Sequence, residues 1–156
     1  MLRVYVETSV WGMAAPEQSP VLRRPTLEFL DQCAGRLYQA HISPVVANEI
    51  RQAPPAAQEH ILRAISDVDP LMLSISPAAE ELAERFLKEG VPPPRRMDDA
   101  RHVACALVNQ LDLLVSWNYR HIANVRKALA FNAIAVLSGL RAGLEIHTPL
   151  EVLGWT

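Results

Sequence analysis

Three times along this chain, an apolar segment leads into a hydroxyl residue followed by proline, and then into a helical pattern. These junctions are Ser43-Pro44, Ser76-Pro77 and Thr148-Pro149. A hydroxyl side chain at this place can accept a free backbone N–H of the first helical turn. Proline at the next position loses nothing, because its missing N–H had no partner there. The repetition predicts alternating strands and helices, and therefore a three-layer α/β/α fold with a central, mostly parallel sheet.

The spacing of apolar residues assigns the remaining elements. The predicted strands are residues 2–6, 41–42, 71–75, 111–117 and 144–147, with another short strand at 134–137. The predicted helices are residues 24–40, 54–68, 78–89, 97–110 and 121–131, besides those that follow the first and third junctions. The pattern shows no domain boundary, so we expect a single domain over residues 1–156.

Composition narrows the class of protein. Half of the 156 residues are hydrophobic, which excludes a disordered chain, and no apolar run is long enough to span a membrane. Residues 1–7 are too short an apolar stretch for a signal peptide, so we expect a cytoplasmic protein. A net charge of −2 is unlike that of a polybasic nucleic-acid protein, so any nucleic-acid binding must use local patches.

Acidic and amide side chains occur where this fold would bring them together. Glu7 and Asn118 each follow a predicted strand, Glu49 lies in the second turn of a helix, and Asp98 and Asp99 begin another. In a parallel sheet, strand carboxyl ends and helix amino ends share one edge, where such folds bind ligands. Carboxylate and amide oxygens suit a hard divalent cation. The sequence therefore predicts a metal site at this edge.

Asp98 and Asp99 are adjacent in sequence, and we expect them to have different roles. Aspartate is among the best helix N-caps, but a cap needs only one of them, and neighbouring like charges repel unless a cation neutralises them. We predict that Asp98 caps the helix and that Asp99 binds the metal. Thr8 and Ser9, which follow Glu7, are candidate accessory residues because their hydroxyls can hydrogen-bond a carboxylate or a phosphate.

Histidines are weaker candidates for the metal site. His102 and His121 lack a second histidine at metal-binding spacing, so we give a transition-metal site of the zinc type little weight.

In their order and context, the acidic motifs resemble those of the PIN domain family, and in particular its VapC-like toxin ribonucleases. The resemblance covers nearly the whole chain. Its motifs are residues 4–9 (VYVETS), 43–50 (SPVVANEI), 99–104 (DARHVA), 114–121 (LVSWNYRH) and 146–153 (IHTPLEVL).

This resemblance implies a metal-dependent endoribonuclease that is the toxin of a type II toxin–antitoxin pair. Mg²⁺ or Mn²⁺ would be bound by the catalytic residues Glu7, Glu49, Asp99 and Asn118. The implied partners are an RNA substrate, an antitoxin protein and a second copy of the chain in a homodimer, with no membrane. Five arginines flank the acidic motifs and are candidates for binding the RNA backbone: Arg95, Arg96, Arg101, Arg120 and Arg126.

Two positions depart from the family pattern. Members usually carry aspartate where this chain has Glu7, and often aspartate where it has Asn118. Glutamate can still bind metal, although its extra methylene moves the carboxylate, whereas asparagine removes a charge and cannot act as a base. The alternative is therefore a catalytically weakened or inactive module of the same fold that binds RNA or a protein partner.

Overall fold

In the computed structural model, which describes residues 1–154, five parallel strands form one sheet flanked by helices. The elements are β1 (Leu2–Val6), α1 (Thr8–Gly12), α2 (Pro20–Ala34), β2 (Tyr38–Ile42), α3 (Pro44–Ile50), α4 (Pro55–Val68), β3 (Leu71–Met72), α5 (Pro77–Lys88), α6 (Met97–Val108), β4 (Leu113–Val115), α7 (Val125–Leu137), β5 (Glu145–His147) and α8 (Pro149–Leu153). The predicted α/β fold is confirmed.

The strand order β3-β2-β1-β4-β5 places β1 at the centre of the sheet. All four neighbouring pairs are parallel, and the chain moves to one side of β1 first and to the other side afterwards. Such a reversal creates a crevice beyond the carboxyl ends of the central strands, where α/β folds bind ligands. Glu7 and Ser116 follow the two strands that adjoin this crevice, β1 and β4.

The three junctions form the predicted caps. Ser43 accepts a hydrogen bond from the backbone N–H of Val45, and Ser76 accepts one from that of Ala79. Thr148 accepts from the N–H of Glu151, whose side chain in turn accepts from the N–H of Thr148, so this junction is a complete capping box.

The core surrounds β1 and β4. Val4, Tyr5 and Val6 of β1 are fully buried, and so are the apolar residues of β4. Helices α5, α6 and α7 pack together, while α2 contacts α4 and α8. Among residues 1–154, no helix is both long and apolar enough to cross a membrane.

Several predicted elements are wrong in extent or type. The predicted helix 24–40 ends at Ala34, because Arg36 adopts a left-handed backbone conformation with φ of 66° and the chain enters β2. The predicted strand 134–137 is the last turn of α7, a case of the ambiguity of short apolar runs. The third strand spans only Leu71–Met72, and α7 begins at Val125 rather than at residue 121.

Candidate metal centre

Glu7 is a buried carboxylate with three hydrogen-bond donors around it. It is only 5% exposed and forms the N-cap of α1. Its Oε1 accepts from the hydroxyls of Ser9 at 2.5 Å and Ser116 at 2.6 Å, and its Oε2 accepts from the backbone N–H of Ser9 at 3.1 Å. These donors fix the orientation of the carboxylate. Ser9 therefore contacts Glu7 directly, and its accessory role stays a prediction.

Glu49, near the end of α3, approaches from the neighbouring strand–helix unit. Its Oε1 accepts from the Thr8 hydroxyl at 2.7 Å and lies 2.5 Å from Nε2 of His102. Burial by itself raises the pKa of Glu49. The hydrogen bond and positive charge of His102, together with the Thr8 hydroxyl, outweigh that effect and lower the pKa. Glu49 is therefore held in its charged form.

Asp99, in the first turn of α6, is buried with little hydrogen bonding. Within the described residues 1–154, its side chain has one hydrogen bond, from Nδ2 of Asn118 at 3.4 Å. Burial, followed by the negative charge of Glu7, raises its pKa to about 6, against the opposing charges of His102 and Arg96. A buried carboxylate in this position is stabilised by a cation.

His102 lies fully buried among the site residues, although its sequence context gave it little weight as a metal ligand. Its Nε2 is 2.5 Å from Oε1 of Glu49 and 3.8 Å from Oε2 of Glu7. Burial lowers the pKa of His102, but the Glu49 hydrogen bond and the surrounding carboxylates raise it overall. One ligand atom each from Glu7, Glu49 and His102 lies within 4.8 Å of the others.

A second layer of hydrogen bonds fixes the imidazole of His102. Its Nδ1 is 2.6 Å from the hydroxyl of Tyr5, which is 2.7 Å from the hydroxyl of Ser43. Partners of this kind set the tautomer and ring orientation of a histidine in a metal site. A sequence signal existed: Asp99 and His102 are three residues apart and therefore share a face of α6.

Asn118 links the site to the loop that follows β4. Its Nδ2 faces Asp99, while its Oδ1 accepts from the backbone N–H of His121 at 3.0 Å. Its own backbone N–H donates to the hydroxyl of Ser116. Asn118 thus lies beside the carboxylates, but with its amide nitrogen towards them. Its predicted role as an oxygen ligand stays a prediction.

The prediction that Asp98 caps α6 is wrong. The N-cap residue is Arg96, which makes no side-chain capping bond, and both aspartates lie within the first turn. Asp98 instead accepts from Nη1 of Arg101 at 3.0 Å. The negative charges of the pair still favour the amino end of the helix.

The five predicted RNA-binding arginines differ in their surroundings. Arg101 is held by Glu80, through contacts of 2.7 to 3.1 Å, and by Asp98, so its charge is already matched. The other four are exposed: Arg95, Arg96, Arg120 and Arg126.

The donor set fits a divalent cation. Glu7, Glu49 and His102 offer ligand atoms within 4.8 Å of one another, and Asp99 is near enough to interact with them electrostatically. Asp99 has one long hydrogen bond, whereas Glu7 accepts three. Carboxylates favour Mg²⁺ and Mn²⁺, and imidazole favours the transition metals. The carboxyl edge therefore supplies the side chains that a cation would need.

Comparisons with known proteins address the fold. The sequence matches no protein-family model, and no curated protein matches it. Solved structures do match it, some of them almost end to end. One, VapBC2 from Rickettsia felis bound to a DNA fragment from its promoter, has a TM-score of 0.60 at 13% identity, covering 94% of this chain and 98% of that one.

Another is a member of the VapBC family of toxin–antitoxin systems, VapBC-5 from Mycobacterium tuberculosis. It has a TM-score of 0.52 at 16% identity, covering 95% of this chain and 99% of that one. The toxin of such complexes is a PIN domain, so the PIN-like fold expected from the sequence motifs is confirmed.

Proposed function

We propose that this protein is a metal-dependent endoribonuclease of the VapC-like PIN type. The observation that carries the proposal is the convergence of Glu7, Glu49 and His102, with Asp99 in electrostatic contact with them, at the crevice where the sheet order reverses. Ionisable groups that are buried together in a crevice and perturb one another's pKa are typical of catalytic sites.

Glu7, Glu49 and Asp99 would hold the cation, with Asn118 beside them. A bound Mg²⁺ or Mn²⁺ lowers the pKa of water and stabilises negative charge on a phosphate. The hydroxyls of Thr8, Ser9 and Ser116 would keep two of the carboxylates in orientation, as their hydrogen bonds indicate. His102 would hold Glu49 in place through Nε2, with Tyr5 behind it.

Cleavage assays test this proposal. We expect the parent protein to cleave single-stranded RNA with Mg²⁺ or Mn²⁺ and not with EDTA, and Glu49→Gln to lose this activity. Glu84→Gln, which makes the same change on an exposed face of α5, is the matched control and should cleave like the parent. Metal binding by a parent protein that cleaves no RNA would instead support an inactive module of the same fold.

The biological role is also a proposal. Similarity in fold to VapBC complexes supports a cytoplasmic toxin that an antitoxin protein inhibits, and a homodimer is the expected assembly. Induced expression in a bacterial host should slow growth with the parent protein and not with Glu49→Gln. Equal growth of the two strains, at equal protein levels, would contradict the toxin role.

A further inference from the structure

The loop between β4 and α7 carries a second group of polar side chains next to the acidic site. Asn118 joins the two, because its Nδ2 contacts Asp99 and its Oδ1 accepts from the backbone N–H of His121. Asn124 ends this loop and caps α7 by accepting from the backbone N–H of Lys127 at 2.9 Å. The position of His121 relative to the carboxylates is thus fixed by hydrogen bonds.

His121 has a buried nitrogen with no hydrogen-bond partner. The residue is 6% exposed, and its Nε2 makes no hydrogen bond to any atom of residues 1–154. A buried polar atom left in this way destabilises the folded protein. Because most buried polar groups are satisfied, an exception calls for a functional explanation, such as a ligand that provides the missing partner.

Four cations lie near enough to this imidazole to interact with it electrostatically. Burial is the main effect that lowers the pKa of His121, and the positive charges of Arg96, Arg120, Lys127 and Arg95 lower it further. They come from two segments, the one that leads into α6 and the one that leads into and begins α7. The hydrogen bonds through Asn118 bring these segments together.

None of the four cations forms an ion pair with another residue of the described chain. Some arginines elsewhere in residues 1–154 do pair with acids: Arg24 with Glu28, Arg36 with Asp69, Arg63 with Glu59, and Arg101 with Glu80 and Asp98. Four positive charges without an ion-pair partner therefore lie near the acidic site, in a protein whose net charge is −2.

We propose that His121, Arg95, Arg96, Arg120 and Lys127 form a subsite for a phosphate group of the nucleic-acid backbone. The proposal rests on the proposed function and deepens it, because it assigns a place to a phosphate next to the one that is cleaved. Nε2 of His121 donates to a phosphate oxygen, and the arginines offer planar donor pairs. Compared with the five arginines predicted from sequence, the subsite adds His121 and Lys127 and leaves out two residues: Arg101, whose charge is matched by Glu80 and Asp98, and Arg126.

Binding measured without metal separates this subsite from cleavage. The probe is a fluorescein-labelled 2′-O-methyl RNA of ten nucleotides, which is not cleaved, in EDTA over a range of salt concentrations. We expect Arg96→Ser and Arg120→Ser each to weaken binding about three- to tenfold. Each should also reduce the slope of log affinity against log salt by about 0.7, the value for one single-strand phosphate contact.

Arg141→Ser is the matched control. Arg141 is exposed and lies in a cleft with Leu2 and Leu113, at the opposite edge of the sheet. Its loss should change affinity less than twofold. If Arg96→Ser and Arg120→Ser weaken binding no more than Arg141→Ser, the proposed subsite is wrong, even if the protein cleaves RNA. If they weaken it as expected and no metal-dependent cleavage is found, the subsite stands and the proposed nuclease activity fails.

Two further measurements use the parent protein, so they do not depend on how a variant folds. Inorganic phosphate should shift the side-chain ¹⁵N resonance of His121 in NMR spectra, and should leave that of His60 in α4 unchanged. No shift at saturating phosphate would overturn the proposal. Poly-glutamate of equal charge should displace the RNA only weakly, and displacement as strong as that by unlabelled RNA would assign the patch to an acidic protein instead.

Discussion

Acidic side chains are buried at the carboxyl edge of the sheet and exposed at its amino edge. At the carboxyl edge, Glu7, Asp99 and His102 are buried, and the negative charge of Glu7 contributes to raising the pKa of both Asp99 and His102. At the amino edge, Asp112 is exposed and simply accepts a hydrogen bond from the backbone N–H of Arg3 at 2.8 Å. A cleft of about 470 Å³ opens at the amino edge, yet no buried acid lines it. The proposed site therefore rests on convergent buried charge rather than on cavity volume.

The largest expected effect is that of Asp99→Asn, and the same substitution at the adjacent Asp98 is its control. Asp99→Asn should lower RNA cleavage by about 10²–10³-fold, a loss typical of removing one preorganised charge-stabilising group. Asp98→Asn should stay within a few-fold of the parent, because Asp98 contacts Arg101 and not the carboxylates. Initial rates at saturating Mn²⁺ would measure both. Equal losses would mean that the functional site extends to Asp98.

The second effect concerns stability against pH in the absence of metal. The pKa of Asp99 is raised from 3.8 to about 6, so its contribution to stability is complete below pH 3.8 and is lost as the pH rises through 6. Asp99→Asn should therefore become more stable than the parent by up to about 3 kcal/mol above pH 6, at about 1.36 kcal/mol per pKa unit. Urea unfolding in EDTA at pH 4 and pH 7.5 measures this, and a pH-independent difference would contradict it.

The third effect concerns the hydrogen bond between Tyr5 and His102, which supports the carboxylates from the interior of the protein. Tyr5→Phe removes the hydroxyl that contacts Nδ1 of His102, which in turn holds Glu49, so we expect metal affinity to fall about tenfold, the lower end of the range for direct partners of metal ligands. The control is Tyr38→Phe, which removes a hydroxyl at the first residue of β2, towards the amino edge. Calorimetric titration with Mn²⁺ compares the two variants. If both bind Mn²⁺ like the parent, the hydrogen bond to His102 plays no part in the site.

The fourth effect is smaller. Asn118→Asp adds a carboxylate beside Asp99, so it should lower stability without metal and strengthen Mg²⁺ binding. A tenfold gain in affinity would add about 1.4 kcal/mol of stability at saturating metal. Thermal melts with and without Mg²⁺ should show that the variant gains more than the parent. An equal gain would place Asn118 outside the metal's surroundings.

Much of the fold, and part of the site, could be predicted from the sequence. Local capping chemistry at Ser43, Ser76 and Thr148 specifies three helix starts without reference to the rest of the chain, and these predictions were correct. The end of α2 depends on the left-handed conformation of Arg36, and the identity of the segment 134–137 depends on packing around Phe131 and Ile134. Neither feature can be predicted from the local spacing of apolar residues.

The site residues, too, could be predicted only where their positions depend on nearby sequence. Glu7 and Glu49 could be placed at the carboxyl edge because each has a fixed position relative to a strand or a helix start. His102 was undervalued because its partners, Glu49 and Tyr5, are 53 and 97 residues away in sequence. Asp98 was misassigned because a cap and a first-turn residue differ by a small shift of the helix start, which sequence patterns locate poorly.

The smallest expected effect tests the contrast between the edges most directly. Asp112→Asn makes the same chemical change as Asp99→Asn, but at the amino edge. An amide oxygen can still accept the hydrogen bond from the backbone N–H of Arg3, and this exposed side chain has no buried acid beside it. We therefore expect cleavage, Mn²⁺ affinity and the pH dependence of stability all to match those of the parent.

The same assays serve for both aspartates, so the two variants form one matched pair. A loss of cleavage in Asp112→Asn comparable to that in Asp99→Asn, with the fold intact by circular dichroism, would show that both edges serve the reaction. A gain in stability confined to pH values above 6 would show that buried repulsion also exists at the amino edge.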